Sequence, residues 1–204
     1  MAHSPLFTAT PVHGELQDRL RATRRALSLA YPGCEHATLP NSQGVAYGRA
    51  ELVGMYLAKS DSPLFLSLDA DIGVNPGVVA RMIAAHDEFG SRGGIVVAPY
   101  RQRKPPHAWT LQITDGRVEF SALGCALMGR QVLEAMREPE HEYDSWRGYR
   151  AWDMFRPEIF ERRLHEADTS FCLRARALGF SIVALVEATT DHDGVFSCLT
   201  AEAA

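Results

Sequence analysis

The sequence contains few cysteines, almost no lysine and no long apolar run. Its cysteines form no Cys-x-x-Cys pair, which argues against a zinc site or a thiol redox motif. Cys125 and Cys172 stand in apolar stretches, so we expect them to be buried free thiols of a reducing compartment. Because no segment approaches the length of a membrane span and the N-terminus lacks a signal-peptide pattern, we expect a cytoplasmic protein.

Length and charge further limit the classes of protein to which the chain can belong. The chain has 204 residues, a net charge of -4 and a sequence pI near 6.1. This length suits one domain, and the acidic balance argues against non-specific binding to nucleic acid or to an anionic membrane. The only lysines are Lys59 and Lys104, so the positive charge is nearly all arginine. We interpret this bias as genome composition, although arginine also suits bidentate contacts with phosphate.

The first half of the chain alternates predicted strands with predicted helices. Strands are predicted over residues 6–12, 34–39, 63–68 and 93–99, and helices over 15–30 and 45–58. A third helix is predicted to begin with Asn75 as N-cap and Pro76 at its first position. This order predicts an α/β fold with an open, mostly parallel sheet flanked by helices on both faces.

The second half has a different pattern. Two strand-like segments, 109–113 and 118–122, surround Thr114-Asp115-Gly116-Arg117 and predict a β-hairpin. A short helix is predicted over 131–136, and the aromatic-rich stretch 139–163 is interpreted as a long, partly helical insertion. A helix over 168–179 that ends at a C-cap glycine, then a last strand over 180–186, complete the prediction.

Two carboxylates follow the buried strand 63–68. Asp69 and Asp71 lie two residues apart where the chain leaves the predicted sheet, and ligands of open α/β sheets bind beyond the carboxyl ends of the strands. Alternate residues of an extended segment face the same way, so both carboxylates can point into one crevice. Such hard oxygen ligands suit Mg²⁺ or Mn²⁺ bridged to phosphate. The plain alternative is that one aspartate caps a turn while the other is solvated.

Taken together, these segments resemble GT-A-fold glycosyltransferases of the family 2 type over about residues 6–195. Asp69-Ala70-Asp71 resembles the DxD motif of that family. The other matching segments follow in the expected order: Thr10-Pro11-Val12, Arg49 in its helix, residues 93–101, the glycine-bearing segment 121–130 with Gly124, the acidic motif before helix 168–179, and His192. The resemblance implies a single GT-A-like domain over residues 1–204, with a nucleotide-binding half of about 6–100 and a sugar and acceptor half of about 101–195.

The resemblance also implies a function. It predicts a metal-dependent, hexosyltransferase-type enzyme that moves a sugar from a UDP- or GDP-sugar donor to an acceptor hydroxyl. Asp69, Asp71 and His192 would hold Mn²⁺ or Mg²⁺, with Asp191 and Asp193 as alternative ligands. A surface histidine in a polar turn is the other interpretation of His192. Donor contacts are expected from a separate set of residues: Pro11, Arg49, Asp69, Asp71, Arg101 and Gly124.

One motif departs from the family. Where members usually read Glu-Asp before the helix, this chain has His165-Glu166-Ala167-Asp168. The resemblance makes Asp168 the candidate base for the acceptor hydroxyl, with Glu166 as the plausible substitute. Asp168 is also a possible N-cap of its helix, because aspartate is a favoured capping residue.

Other residues leave alternatives open. Arg101, Arg103, Lys104 and His107 are candidates to neutralise the leaving diphosphate or to contact an anionic acceptor, or else they belong to a solvated loop. The aromatics of the insertion suit stacking on a sugar or base, or anchoring of the loop: Tyr143, Trp146, Tyr149, Trp152 and Phe155.

Two rival functions and several acceptors remain. A HAD-like phosphohydrolase also presents Asp-x-Asp after a strand, but it needs a downstream lysine, and only Lys104 follows the motif. A catalytically inactive nucleotide-sugar-binding module is the second rival, because Ala167 replaces the family's glutamate. The acceptor is expected to be a small metabolite, a glycan or, as a minority hypothesis, a hydroxylated base in DNA.

Overall fold

Six strands from distant parts of the chain form the central sheet. A computed structural model describes residues 5–12, 18–40, 44–101, 108–185, 189–192 and 195–198, the last two ranges by their backbone alone. The elements follow in this order: β1 (Phe7–Val12), α1 (Asp18–Ala30), β2 (Glu35–Pro40), α2 (Val45–Lys59), β3 (Leu64–Leu68), β4 (Ile72–Gly73), α3 (Pro76–Asp87), β5 (Gly94–Val97), β6 (Leu111–Thr114), β7 (Arg117–Ser121), β8 (Cys125–Gly129), α4 (Arg130–Ala135), β9 (Glu142–Asp144), β10 (Arg150–Trp152), β11 (Glu158–Phe160), β12 (Arg163–His165), α5 (Ala167–Ala177), β13 (Ser181–Ala184), β14 (Thr189–His192) and β15 (Val195–Cys198).

The central sheet has the strand order β13-β5-β8-β3-β1-β2. The pairs β1–β2, β1–β3 and β5–β13 are parallel, whereas β8 runs antiparallel to both of its neighbours. The predicted fold class, a mostly parallel sheet flanked by helices, is therefore confirmed. Strand β8 itself was not predicted.

Alternate residues of the central strands build two separate cores. Phe65, Val97 and Met128 pack with α2, α4 and α5 on one face of the sheet. Leu66 and Leu127 point the other way and pack with α1 and α3. Side chains of successive strand residues face opposite sides, so a strand covered by helices on both faces is apolar throughout. This explains why β3, β5 and β8 are completely buried.

Several local predictions are confirmed. Asn75 caps α3, since its side chain accepts a hydrogen bond from the backbone N–H of Val78 at 3.0 Å. The hairpin β6–β7 turns at Asp115 and Gly116, which both have positive φ angles of 52° and 72°, as a tight hairpin turn requires. The short helix is present as α4. Cys125 and Cys172 are buried free thiols, and burial raises the pKa of each to about 12.

Two predictions for the second half are wrong. The insertion 139–163 is not a partly helical segment but a 3₁₀ turn, Pro139–His141, followed by two β-ribbons, β9–β10 and β11–β12. Strands of three residues are too short to show a periodic pattern. The strand predicted over 180–186 is also not the last one, because β14 and β15 follow it.

Strand β14 pairs antiparallel with β4, so the segment after the central sheet returns to the aspartate turn that follows β3. No helix in the described part of the chain combines the length and the apolar character that a membrane crossing requires.

Candidate functional site

Arg49 joins two acidic residues that lie far apart in the sequence. Its guanidinium is buried on α2 and donates to Asp69 Oδ1 at 2.7 Å and to Asp69 Oδ2 at 3.0 Å. Its other terminal nitrogen donates to Oδ1 of Asp168. Burial lowers the pKa of the Arg49 guanidinium, but Asp69 and Asp168 outweigh this effect and raise the pKa overall. The guanidinium is therefore a fixed cation between two carboxylates.

Asp168 is held from two sides. Besides the contact with Arg49, its Oδ2 accepts a hydrogen bond from the backbone N–H of Leu123 at 2.9 Å. Helix α5 begins at Ala167, so Asp168 is its second residue and the N-cap position belongs to Glu166. The N-cap interpretation of Asp168 is therefore wrong, because its carboxylate reaches other elements of the fold.

Glu166 lies outside this centre. Its side chain is exposed and makes no capping hydrogen bond, although its backbone carbonyl accepts from the N–H of Ser170 at 2.9 Å. Of the two acidic candidates at the start of α5, only Asp168 contacts Arg49. We call Arg49, Asp69 and Asp168 the acidic centre.

Gly124 allows the chain to pass close to Asp69. Its carbonyl oxygen accepts a hydrogen bond from the Asp69 N–H at 2.8 Å. A Cβ atom at Gly124 would lie 2.6 Å from Asp69 Oδ2 and even closer to the Tyr100 hydroxyl. Only glycine fits between these two groups, so residue 124 is part of the wall of the acidic centre.

Sequence reasoning missed Tyr100. This side chain is buried beside Gly124 and the acidic centre, three residues after β5 ends. Burial raises the pKa of its phenol far above the ordinary value, and Asp69 raises it further, while Arg49 opposes the shift. The signal that could have identified Tyr100 is its place beyond the carboxyl end of a buried strand, where ligands of such sheets bind.

Asp71 and His192 are brought to the same turn by strand pairing. Asp71 is half-buried and comes just before β4. In the β4–β14 pair His192 lies opposite Ile72, so its backbone is one residue away from the level of Asp71. The side chain of His192 lies outside the described residues, as do residue 193 and the side chain of Asp191.

The remaining predicted donor contacts lie at two places. Pro11 is buried near the end of β1, two residues after Ala9, and Ala9 pairs with Ser67, two residues before Asp69. Arg101 follows β5 and stacks over the ring of Trp109, with the guanidinium 4.5 Å from the ring centroid. Arg103, Lys104 and His107 lie outside the described residues. Of the predicted basic cluster, the structure therefore describes Arg101 alone.

The ligands near Asp71 fit a divalent metal by their chemistry. Carboxylate and imidazole groups are common ligands of Mn²⁺, and carboxylates suit Mg²⁺. Both Asp69 oxygens, however, already accept from Arg49. These contacts tie the Asp69 carboxylate to α2.

One cluster of metal-type ligands occurs among the described side chains, and it lies elsewhere. Glu138, Glu140 and His141 converge at the turn before β9. Glu138 is already ion-paired with Arg156 at 2.6 Å. The cluster is thus explained by an ion pair at the surface.

The aromatic insertion is anchored to α2 through Glu51. The buried Glu51 carboxylate accepts from Ser145 Oγ at 2.6 Å and from the Tyr149 hydroxyl at 3.1 Å. Gly54 on the same helix makes this possible, because a Cβ there would lie 2.8 Å from Ala151 Cβ on β10.

The aromatic side chains of the insertion divide into two groups. Tyr149 and Phe155 are buried, and Phe155 stacks on Phe171 of α5 with centroids 4.7 Å apart. Tyr143 remains half-buried, and Trp146 is 74% exposed. Anchoring of the insertion therefore accounts for Tyr149 and Phe155, whereas Trp146 faces solvent.

Comparisons with known proteins agree with the architecture. No family model matches the sequence, and neither does any curated protein. Among solved structures, the chain is similar to A197 from STIV, with 18% identity, a TM-score of 0.63, and coverage of 92% of this chain and 84% of that one. That similarity shows a shared fold.

A second structure is less similar. It is a glycosyltransferase involved in the glycosylation of the major capsid of PBCV-1, with 13% identity and a TM-score of 0.40. The match covers 64% of this chain and 62% of that one.

Proposed function

We propose that the protein is a metal-dependent glycosyltransferase that moves a sugar from a UDP- or GDP-sugar to an acceptor hydroxyl. The observation that carries the proposal is the acidic centre, in which Arg49 joins Asp69 of the Asp-x-Asp turn to Asp168 at the start of α5. In this proposal the donor site and the candidate base meet beyond the carboxyl ends of β1 and β3, where α/β sheets bind their ligands.

Asp71 and His192 are the proposed metal ligands at this place. When bound, Mn²⁺ or Mg²⁺ would supply positive charge that stabilises the departing diphosphate. Asp69 has a different role in this proposal, because its carboxylate is held by Arg49 on one side and crowds Gly124 on the other. It orients the turn that presents Asp71.

Asp168 is the proposed base. Each carboxylate oxygen has two lone pairs, so the contacts with Arg49 and Leu123 leave acceptor capacity for a hydroxyl proton. These contacts also fix the direction of the carboxylate, which a base needs in order to meet the acceptor oxygen. Ala167 replaces the family's glutamate without disturbing this arrangement, since Asp168 is positioned by its own partners.

The test combines donor binding with donor turnover. We expect UDP- or GDP-sugars to raise the melting temperature in Mn²⁺, because a ligand of the native state stabilises it, and EDTA to abolish the shift. Asp71→Asn should lose both the shift and slow donor hydrolysis, whereas Asp61→Asn, an exposed aspartate before β3, should keep both.

The outcomes separate the alternatives. Undiminished nucleotide affinity in EDTA would overturn the metal role of Asp71. Metal-dependent donor binding without any hydrolysis or transfer would indicate an inactive binding module. Release of inorganic phosphate from simple phosphate esters, with no response to nucleotide-sugars, would indicate the HAD-like phosphohydrolase.

A further inference from the structure

A cleft of about 450 Å³ opens between the start of α2 and the insertion. Tyr47 comes from α2, whereas Tyr143, Asp153, Phe155 and Arg156 come from the insertion. We call this site the tyrosine cleft. None of these residues forms part of the acidic centre.

Three aromatic side chains, Tyr47, Tyr143 and Phe155, line the tyrosine cleft. The rings of Tyr47 and Tyr143 are nearly parallel, with centroids 6.3 Å apart and an angle of 21° between their planes. Both tyrosines are half-buried, and the third aromatic residue of the cleft, Phe155, is buried. Aromatic faces offer a large, rigid apolar surface, and the C–H face of a sugar ring is a suitable partner for it.

The charges of the cleft disfavour an anionic ligand. Arg156 is neutralised by Glu138 and Glu158, each 2.6 Å from its guanidinium. The exposed side chain of Asp153 has no hydrogen-bond partner among the described residues. A free carboxylate accepts hydrogen bonds from neighbouring hydroxyls and repels phosphate.

The cleft is next to the acidic centre. Ala46, which also lines the cleft, is three residues before Arg49 on α2, and residues at this spacing are neighbours on one helix face. On α5, Phe171 is three residues after Asp168 and stacks on Phe155 of the cleft. Two helices therefore connect the cleft with the two ends of the Arg49–Asp168 ion pair.

We propose that the tyrosine cleft binds an uncharged sugar ring and that this ring belongs to the acceptor. The acceptor class is then a neutral glycan or glycoside and not a hydroxylated base in DNA, whose phosphates the free Asp153 carboxylate would repel. The inference rests on the proposed function, which supplies the need for an acceptor. The occupant follows from the aromatic walls and the single free carboxylate.

Direct binding tests the cleft without any donor. The probes are methyl glycosides of glucose, galactose, mannose and xylose, and saturation-transfer NMR measures their contact with the protein. We expect at least one glycoside to bind, Tyr143→Ala to weaken it about fivefold or more, and Asp153→Asn to weaken it as well. Trp146→Ala is the matched control, since Trp146 belongs to the same insertion but lies outside the cleft.

A second set of measurements checks that the variants are folded and tests whether the cleft takes part in sugar transfer. In all three variants the Mn²⁺-dependent shift in melting temperature with the donor should persist. The glycoside that binds should accelerate donor consumption by the wild type. The KM for this glycoside should rise in Tyr143→Ala and Asp153→Asn but not in Trp146→Ala.

The outcomes distinguish the two proposals. If no glycoside binds, or if a hydroxymethylated DNA oligonucleotide accelerates donor consumption instead, the acceptor assignment is overturned while the proposed function stands. If a glycoside binds through Tyr143 and Asp153 but no donor is consumed, the cleft assignment as a sugar site survives and the transferase function fails.

Discussion

The Arg49 guanidinium donates to both carboxylate oxygens of Asp69, at 2.7 and 3.0 Å, and also reaches Asp168. One buried cation therefore holds the turn after β3 against the start of α5. The partners are unequal in burial, because Arg49 is 3% exposed, whereas Asp69 and Asp168 are 21% and 25% exposed. Loss of the arginine leaves two neighbouring carboxylates without a counter-charge.

Replacement of Arg49 should destabilise the protein. The variant Arg49→Met keeps much of the side-chain length but loses the charge. We expect its free energy of unfolding to fall by about 3 kcal/mol. This value is at the low end of the range for a broken buried ion pair, because both aspartates keep contact with water. Urea denaturation measures this. Arg21→Met is the control, since its ion pair with Asp18 is exposed and should leave no measurable change. Equal stability of both variants would contradict the central role of Arg49.

Gly124 is expected to tolerate no side chain. In Gly124→Ala the new Cβ would collide with Asp69 Oδ2 and the Tyr100 hydroxyl, so we expect a loss of about 1–3 kcal/mol in stability and weaker donor binding. Adding Tyr100→Phe should restore part of both, because it removes one of the colliding atoms. Gly77→Ala in the first turn of α3 is the milder comparison, because its new Cβ would approach only the Asn75 side chain, at 3.1 Å, and stability should change by less than about 1 kcal/mol. Normal donor affinity in Gly124→Ala would show that this wall is not part of the donor site.

Asp168 and Glu166 are separated by a pair of conservative variants. Asp168→Asn keeps the shape but removes the group that accepts the proton, so turnover should fall by about 10²–10⁴-fold with little change in donor affinity. Glu166→Gln should behave as wild type, because the side chain is exposed and makes no capping bond. Steady-state kinetics with separate donor titrations measures both effects. The reverse result, with Glu166→Gln inactive and Asp168→Asn active, would transfer the base role to Glu166.

His36 should make stability fall in mild acid. Burial, helped by Arg24, lowers the pKa of His36 below its ordinary value of 6.5, and its ring nitrogens lie 2.6 Å from Thr8 Oγ1 and 2.8 Å from Ser28 Oγ. As the pH falls below 6.5, the unfolded chain takes up the proton first, so the free energy of unfolding decreases until the folded-state pKa is reached. Urea denaturation at pH 7.5 and 5.5 should therefore show a smaller loss in His36→Gln than in wild type.

His86 gives an independent check of the same effect. Burial lowers its pKa too, although Asp87 opposes the shift. The double variant His36→Gln/His86→Gln should lose still less stability between the two pH values. An unchanged loss in both variants would mean that other groups govern the acid response.

Local sequence signals predicted the first half of the fold well. Strands buried on both faces appear in the sequence as short apolar runs, and the start of α3 is indicated by Asn75 and Pro76. The second half was harder for a physical reason. Strand β8 fits between β3 and β5 because tertiary packing selects it, and the three-residue strands of the insertion are defined by their partners across each ribbon.

The sequence by itself determined the placement of Asp69 and Asp71 after a central strand, because the local run of apolar residues shows where a buried strand lies and where it ends. It also marked Arg49 and Asp168 as candidates through a resemblance. Only the tertiary structure decided that Arg49 contacts Asp69 and Asp168 together, that Glu166 faces away, and that Tyr100 lies beside Gly124. Such contacts join residues distant in the chain, and they depend on how α2 and α5 pack against the sheet, which no local pattern encodes.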